Sequence, residues 1–361
     1  MPMRRMPLAV GLLALVTACT PGGGGGDGDD AVPTSLYAYL TFETGQTILD
    51  THGTFALMDG TRVVGSTVVF LTSPPVFTTD GRFVYVASTT DDVITVIATD
   101  TGAVTTVTCE GCGDIEEKCG CQEVVPFGGS TIAWLDGDHR LTTADLAAAP
   151  PTPTHTETSV PEIDGFLDEE IAPALFAGAD GVALATYPSG LPGDDIPPAY
   201  LLTPGAEPRR LDTGRTDATD LAAFSPDGTR VALAGTQEYT CGTVTVVDVA
   251  SGKGTDSTVK AEPGAKCEQP DVYPADLWWD HDGVLNLYFQ SPKEAEVDPD
   301  THAHRRLEGD RWVPVDAVNT WTVRLLSGAT AFTDLHSLSF EYDGKRTAIA
   351  EAVTRVTASP V

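Results

Sequence analysis

One stretch of the chain has the residue types and spacing of a metal site. The sequence DPDTHAH supplies carboxylates at Asp298 and Asp300 and imidazoles at His302 and His304. Carboxylate and imidazole groups are common ligands of divalent metals in proteins. The stretch lies in a long charged connection before RRLEGDRW, however, and this context favours a solvated loop. We therefore assign no metal ligand here.

A second concentration of aromatic and charged residues lies at WWDHD, which precedes a glycine. Its members are Trp278, Trp279, Asp280, His281 and Asp282. Aromatic side chains beside an Asp-Gly turn are typical of packing inside a sheet. A structural role is therefore favoured over a binding role.

Recognisable catalytic and cofactor motifs are missing from the sequence. It has no G-x-S-x-G elbow, no H-E-x-x-H, no P-loop and no dinucleotide-binding fingerprint. The sequence accordingly predicts no catalytic residue, no cofactor-binding residue and no cofactor.

The N-terminus carries an export signal. Arg4 and Arg5 precede the apolar run LAVGLLALV, which at nine residues is too short to span a bilayer that needs about 20 apolar residues. The following VTAC resembles the lipobox of bacterial lipoproteins, and this resemblance implies that Cys19 becomes the lipidated N-terminus. A plain signal peptide with a chance cysteine is the alternative. We expect an exported protein that is lipid-anchored at the outer face of a bacterial membrane.

Three regions follow from this signal and from composition. Residues 1–18 are the predicted signal peptide, and residues 19–34 are the lipidated cysteine with a Gly/Asp-rich flexible tether. Residues 35–361 are predicted to form a single domain.

The net charge of −31 excludes binding to nucleic acid phosphates as the main function, because that needs clustered Lys and Arg. Membrane contact is therefore expected through the lipid anchor only.

Six further cysteines are expected to form disulfides because exported thiols oxidise. Cys109, Cys112, Cys119 and Cys121 lie in CEGCGDIEEKCGC, where a tetrahedral zinc site and free thiols are the alternatives. Two disulfides are favoured there, with Cys109 or Cys112 reaching to Cys119 or Cys121.

The other two cysteines flank a predicted hairpin. A bridge between Cys241 and Cys267 would close a loop of about 25 residues and contribute roughly 3 kcal/mol to the free energy of unfolding.

The rest of the chain repeats one unit, which is a strand, an Asp-Gly turn and a second strand. The copies lie at 76–88, 174–187, 222–235, 276–291 and 337–352, with a weaker one at 123–141 whose Asp-Gly is displaced to the next turn. Further hairpins follow most copies, at 93–107, 199–212, 243–259 and 321–334. Four strands per repeat predict an all-β protein with the blades of a β-propeller.

Two copies carry a family resemblance. FSPDGTRVALAG (224–235) resembles the repeat signature of TolB-type, WD-like bacterial propellers, and TDGRFVYVAS followed by ITVIATDTGAV is similar to YVTN-type propeller repeats. The resemblance implies a propeller over most of residues 36–358, but it says little about ligands.

The number of blades depends on how the ring closes. The hairpin at 337–352 lacks a partner after it, and 35–50 resembles a second hairpin with no first hairpin before it. Pairing these two segments closes the ring with both termini and favours six blades, with 54–71 as an extra hairpin. If 54–71 belongs to a blade of its own, the count becomes seven.

Two classes of function remain. The favoured one is a non-catalytic, TolB-like binding or scaffolding propeller, monomeric, whose partner is an envelope protein or a small ligand met at the loop-rich end of the ring. The alternative is a propeller enzyme, lactonase-like or quinoprotein-like, with a metal or cofactor in the central channel. Asp, Glu, His or Asn side chains that converge on that channel would favour the enzyme.

Overall fold

The computed structural model describes residues 35–41, 52–70, 72–112, 124–161, 173–178, 181–187, 198–211, 219, 221–235, 241–260, 273–280, 282–290, 303–315, 321–325, 327, 329–333, 337–351 and 353–359. They belong to one compact unit, residues 33–361. These residues form 28 strands and no helix. Consequently none of the described segments is a helix with the length and apolarity needed to cross a membrane.

The strands form seven antiparallel four-stranded sheets, which are the blades of a propeller. Blade 1 has β1 (Leu36–Thr41), β2 (His52–Asp59), β3 (Arg62–Phe70) and the C-terminal β28 (Val353–Ala358). Blade 2 has β4 (Val76–Phe77), β5 (Phe83–Ala87), β6 (Val93–Ala98) and β7 (Val104–Thr108). Blade 3 has β8 (Val125–Pro126), β9 (Thr131–Leu135), β10 (Arg140–Asp145) and β11 (Thr154–Ser159). Blade 4 has β12 (Ala174–Ala177), β13 (Ala183–Thr186), β14 (Ala199–Leu202) and β15 (Arg209–Leu211).

The remaining three blades have the same construction. Blade 5 has β16 (Leu221–Phe224), β17 (Arg230–Ala234), β18 (Cys241–Asp248) and β19 (Gly254–Lys260). Blade 6 has β20 (Tyr273–Trp279), β21 (Leu285–Gln290), β22 (Ala303–Glu308) and β23 (Arg311–Val315). Blade 7 has β24 (Trp321–Arg324), β25 (Thr330–Thr333), β26 (Ser337–Tyr342) and β27 (Lys345–Glu351). The inner strands β28, β4, β8, β12, β16, β20 and β24 follow one another around the channel.

Blade 1 closes the ring with both chain termini, as the sequence predicts, but with different segments. β1 pairs with β28 on one side and with β2 on the other. The expected pairing of 35–50 with 337–352 is wrong, because 337–351 contributes the two outer strands of blade 7. The segment 54–71 is no insertion, since it lies in β2 and β3, which complete blade 1.

The repeat pattern favours six blades and allows seven, and the structure has seven. The difference arises because Asp-Gly does not mark the same turn in every blade. In blade 7 it joins the third and fourth strands at Asp343 and Gly344, so 321–334 is the first hairpin of that blade. The predicted solvated loop at 298–304 runs into β22, which pairs with β23 to complete blade 6.

The Asp-Gly turns are held by short-range hydrogen bonds. In blade 5 the carboxylate of Asp227 accepts from the hydroxyl of Ser225 at 2.6 Å and from the backbone N–H of Thr229 at 3.1 Å. These hydrogen bonds lower the pKa of the Asp227 carboxyl to about 2, and the bond from Ser225 has the largest effect. The next residue, Gly228, has φ of 66°, a conformation that glycine adopts at little cost. The turn therefore needs both residues of the motif.

The cysteine pairing differs from the expected one. Cys109 and Cys112 are bonded to each other, with their Cα atoms 5.6 Å apart. They come together because the chain turns as soon as β7 ends, where the N–H of Cys112 donates to the carbonyl of Cys109 at 3.4 Å. Both are fully buried in the cluster between blades 2 and 3. Cys119, Cys121 and Cys267 lie outside the described residues, as does the side chain of Cys241.

This pairing predicts a specific tryptic map. Cleavage after Arg82, Lys118 and Arg140 places Cys109 and Cys112 in peptide 83–118, and Cys119 and Cys121 in peptide 119–140. Without reduction, mass spectrometry should detect peptide 83–118 alone, lighter by two hydrogens than its reduced form. Recovery of 83–118 joined to 119–140 would contradict the pairing. The predicted Cys241–Cys267 bridge would join peptides 231–253 and 267–293 in the same experiment.

Candidate functional site

Clusters of apolar side chains pack six of the seven blade interfaces in the part of the chain that the structure describes. Among the described residues, a cluster of buried apolar side chains lies between blades 1 and 2, 2 and 3, 3 and 4, 4 and 5, 5 and 6, and 7 and 1. No such cluster joins the described residues of blades 6 and 7.

The two faces of blade 6 differ in chemistry because apolar and polar residues alternate along its strands. Leu285, Leu287 and Phe289 of β21 are buried against blade 5. Asn286 and Tyr288, which lie between them, point to the opposite face, toward blade 7.

The strand pairings carry this alternation across the sheet. Asn286 lies opposite both Trp278 and Arg306, and Tyr288 lies opposite Asp276 and His304. We call these side chains the polar face: Asp276, Trp278, Asn286, Tyr288, His304 and Arg306.

Aromatic rings and a hydrogen bond organise the centre of the polar face. The rings of Trp278 and His304 are tilted by 33° with centroids 5.1 Å apart. The Nδ2 of Asn286 donates to the carbonyl of Val284 at 3.0 Å, which turns its Oδ1 toward His304. The Nε2 of His304 lies 3.1 Å from that Oδ1. Because an amide oxygen only accepts, Nε2 carries the proton and Nδ1 carries the lone pair.

His304 is held neutral. Burial, followed by the positive charges of Arg305 and Arg306, lowers its pKa from the ordinary value of 6.5. The unprotonated Nδ1 can therefore accept a hydrogen bond or a proton at neutral pH.

Arg306 carries a charge that is only loosely compensated. Its Nη2 lies 3.6 Å from Oδ2 of Asp280, an ion pair longer than a normal hydrogen bond. Its Nε is buried without a hydrogen-bond acceptor in the described structure. Asp280 uses its other oxygen to accept from the backbone N–H groups of Asp282 and Val284 at 3.1 and 2.9 Å. Since the Arg306 side chain is 38% exposed, its guanidinium can contact a further partner.

Solvent reaches the polar face. Trp278, Tyr288, His304 and Arg306 are all partly exposed, although they lie on the side of the sheet turned toward a neighbouring blade. On blade 7, the strand pairing places Thr330, Ser339 and Glu341 on the face opposite the apolar cluster that it shares with blade 1. Polar side chains of both blades therefore occur on the facing surfaces of this interface.

The structure places the predicted metal stretch differently from expectation. His304 lies in β22 on the polar face rather than in a solvated loop. Asp298, Asp300 and His302 lie outside the described residues. No group of three or more His, Cys, Asp or Glu side chains that could hold a metal occurs within the described ranges.

The WWDHD concentration is divided between the two faces of blade 6. Trp278 lies on the polar face, whereas Trp279 packs against blade 5 beneath the guanidinium of Arg230, 4.4 Å from its ring centroid. The packing role predicted from sequence therefore fits Trp279. His281 lies outside the described residues, and Asp282 is in the turn.

Sequence reasoning missed Asp276, Asn286, Tyr288 and Arg306. The signal for Asn286 and Tyr288 is the strict alternation of apolar and polar residues in LNLYFQ. Second strands such as FVYVA in β5 and TIAWL in β9 contain uninterrupted apolar runs instead. Alternation indicates a strand with only one apolar face.

The described inner strands bring few residues with catalytic groups to the central channel. Asp276, on β20, is the one Asp, Glu, His or Asn among the residues of the seven inner strands. Convergent polar side chains, which would favour an enzyme site in the channel, are therefore not found on the described inner strands.

A second polar cluster lies in blade 3 and has a local role. The Nδ1 of His155 meets Oδ2 of Asp136 at 3.1 Å and the hydroxyl of Thr142 at 3.0 Å. The other oxygen of Asp136 accepts from the N–H groups of Asp138 and Arg140, both at 3.0 Å. This cluster braces the turn between β9 and β10.

Comparison with known proteins supports the fold and no more specific assignment. Neither sequence families nor curated proteins give a match. Among solved structures, the chain resembles dihydro-heme d1 dehydrogenase NirN, with 13% identity, TM-score 0.54, and 92% of this chain and 77% of that chain covered. A Bacteroides fragilis protein whose proposed activity is 6-phosphogluconolactonase gives 14% identity and TM-score 0.54, with 92% and 99% covered. A protein of unknown function from Desulfotomaculum acetoxidans gives 11% identity and TM-score 0.52, with 90% and 98% covered. The chain is a β-propeller.

The lowered pKa of His304 predicts a pH-dependent stability. The unfolded chain takes up a proton near pH 6.5, whereas the folded chain takes it up only at lower pH, so acidification through this window favours unfolding. Thermal midpoints at about pH 7.5 and about pH 5 should therefore differ less in His304→Gln than in the wild type. His155→Gln measures the effect of removing a partly exposed histidine in another blade. An equal pH-dependent loss in wild type and His304→Gln would contradict the assignment.

Proposed function

We propose that this protein is a non-catalytic binding propeller that takes a small polar ligand on the polar face of blade 6. The observation that carries the proposal is the polar face itself, where six polar and aromatic side chains from three adjacent strands lie together at a blade interface. The other blade interfaces have apolar clusters, so polar side chains at this interface reduce the apolar area that the two blades can bury. Proteins break such packing rules mainly at functional sites.

The arrangement is suited to binding because its groups are held in place before a ligand arrives. Asn286 is buried, with 4% of its surface exposed, and is fixed by Val284 and His304. Its position fixes the His304 ring, which lies against Trp278. Preorganised polar groups in a partly dry site bind with a smaller entropic cost than mobile ones.

An enzyme is the second candidate, and His304 is the observation that favours it. A neutral imidazole with an unprotonated Nδ1 has the protonation state that a general base requires. Similarity in fold to proteins with enzymatic names adds nothing here, because the identities of 11–14% support the fold alone.

Ligand-observed NMR with the full chain and a mixture of common metabolites tests the proposal. A metabolite that binds should lose affinity by about tenfold or more in Trp278→Ala, because the aromatic surface is removed. Trp312→Phe is the matched control, since Trp312 lies on the opposite face of blade 6, where its Nε1 donates to Ser257 at 3.1 Å. Thermal unfolding establishes that each variant is folded.

The outcomes separate the two candidates. A bound metabolite recovered unchanged after long incubation supports a binding protein. Conversion of the metabolite by the wild type but not by His304→Gln would instead establish the enzyme. Binding that Trp278→Ala and Trp312→Phe affect equally would place the site elsewhere and contradict the proposal.

We further propose that the protein works as a TolB-like lipoprotein in the cell envelope. The VTAC sequence before and at Cys19 and the glycine-rich segment after it support this location. In this arrangement the tether lets the propeller sample the space beside a membrane. An envelope protein is then a possible second partner at the loop-rich end of the ring, whose longer connections lie largely outside the described residues.

Replacement of the lipidated cysteine tests the location. Cys19→Ala should remove the acylation site, so the chain should leave the membrane fraction or persist as uncleaved precursor. Fractionation and mass spectrometry of the mature N-terminus measure both results. A wild-type protein that is soluble and has an unmodified N-terminus would contradict the anchor.

A further inference from the structure

We propose that the ligand of the polar face is an uncharged carbohydrate. This inference rests on the proposed function, because it names the chemical class that the same site would bind. It follows from three properties of the described side chains: one accessible aromatic ring, hydrogen-bonding groups of both kinds, and charges of both signs.

The aromatic ring supplies an apolar surface of the right kind. Trp278 is partly exposed and lies on the inner strand β20, at the channel side of the polar face. The face of an indole ring is electron-rich and attracts the C–H groups on the flat side of a sugar ring. The His304 ring lies against the indole, with centroids 5.1 Å apart and a tilt of 33°, and this contact restricts the rotation of the indole.

The polar groups match hydroxyls, which both donate and accept. The unprotonated Nδ1 of His304 accepts, and Arg306, whose side chain is 38% exposed, donates. A ligand with neighbouring hydroxyls can donate a hydrogen bond to His304 and accept one from Arg306 with the same kind of group. A purely accepting ligand would leave the His304 lone pair unsatisfied, and a purely donating one would leave Arg306 unsatisfied.

The charges favour a neutral ligand over an anion or a cation. The chain carries a net charge of −31, which opposes the approach of anions. Close to His304, however, Arg305 and Arg306 create a positive potential that disfavours a cation. Asp280 partly compensates Arg306 at 3.6 Å, so the site itself has no strong excess of either sign. An uncharged polyol meets no electrostatic penalty from either source.

Saturation-transfer NMR and calorimetry with the full chain test this inference. The probes are D-glucose, D-galactose, D-mannose, N-acetyl-D-glucosamine and the disaccharides maltose and cellobiose, each at millimolar concentration. D-glucuronate and D-glucosamine serve as charged counterparts, and L-phenylalanine and L-leucine as ligands that are not sugars. We expect at least one neutral sugar to bind, with saturation strongest on its ring C–H protons.

Two variants test the site, so that one failure to fold does not decide the result. Trp278→Ala should weaken the binding of that sugar by about tenfold or more, and Arg306→Gln should weaken it measurably. Trp312→Phe, on the opposite face of the same blade, should leave the affinity unchanged. Thermal unfolding of each variant is measured beside the titration.

Every outcome decides the inference. A neutral sugar whose binding depends on Trp278 supports it. Binding only of the charged sugars or of an amino acid, still dependent on Trp278, overturns the carbohydrate assignment but keeps the polar face as a binding site. Sugar binding that Trp278→Ala leaves unchanged, or no binding of any sugar probe, overturns the inference. The metabolite experiment then decides independently whether the polar face binds anything.

Discussion

Each blade of this ring lies between two others, so both faces of its sheet are covered by a neighbour. Burial of apolar surface on both faces is what holds neighbouring blades together. Blade 2 satisfies this requirement fully, because Val84 and Val86 pack toward blade 1 while Tyr85 and Ala87 pack toward blade 3. Within the part of the chain that the structure describes, blade 6 satisfies it on one face only. The candidate site follows from this departure.

The strands and the closure by both termini could be predicted from the sequence, because turn chemistry and apolar runs are local signals. Asp227 and Gly228 form a turn whose hydrogen bonds lie within five residues, and such turns are readable one at a time. The assignment of hairpins to blades is not local. The residues around Gly344 do not indicate whether its turn joins the first two or the last two strands of a blade. The number of blades is decided by the pairing of β1 with β28, which lie at opposite ends of the domain sequence.

The site was harder to predict because its members come from three strands. Trp278 and His304 stand out in the sequence, but each lies beside residues that suggest another role. Asn286 stands out only when the alternation of β21 is compared with the apolar runs of the other second strands. The register that brings it beside Trp278 and Arg306 depends on three strands pairing in order. No local sequence signal reports that register.

The accessibility of Trp278 tests the account most directly. The chain, which has five tryptophans, is labelled with 5-fluorotryptophan, and the fluorine signals of Trp278 and Trp134 are assigned with Phe variants. A soluble gadolinium chelate then broadens the signals of side chains that solvent reaches. Trp134 is 1% exposed between apolar blade faces and should stay sharp, whereas Trp278 should broaden strongly. A Trp278 signal as protected as that of Trp134 would show that blades 6 and 7 enclose the polar face, and would contradict the account.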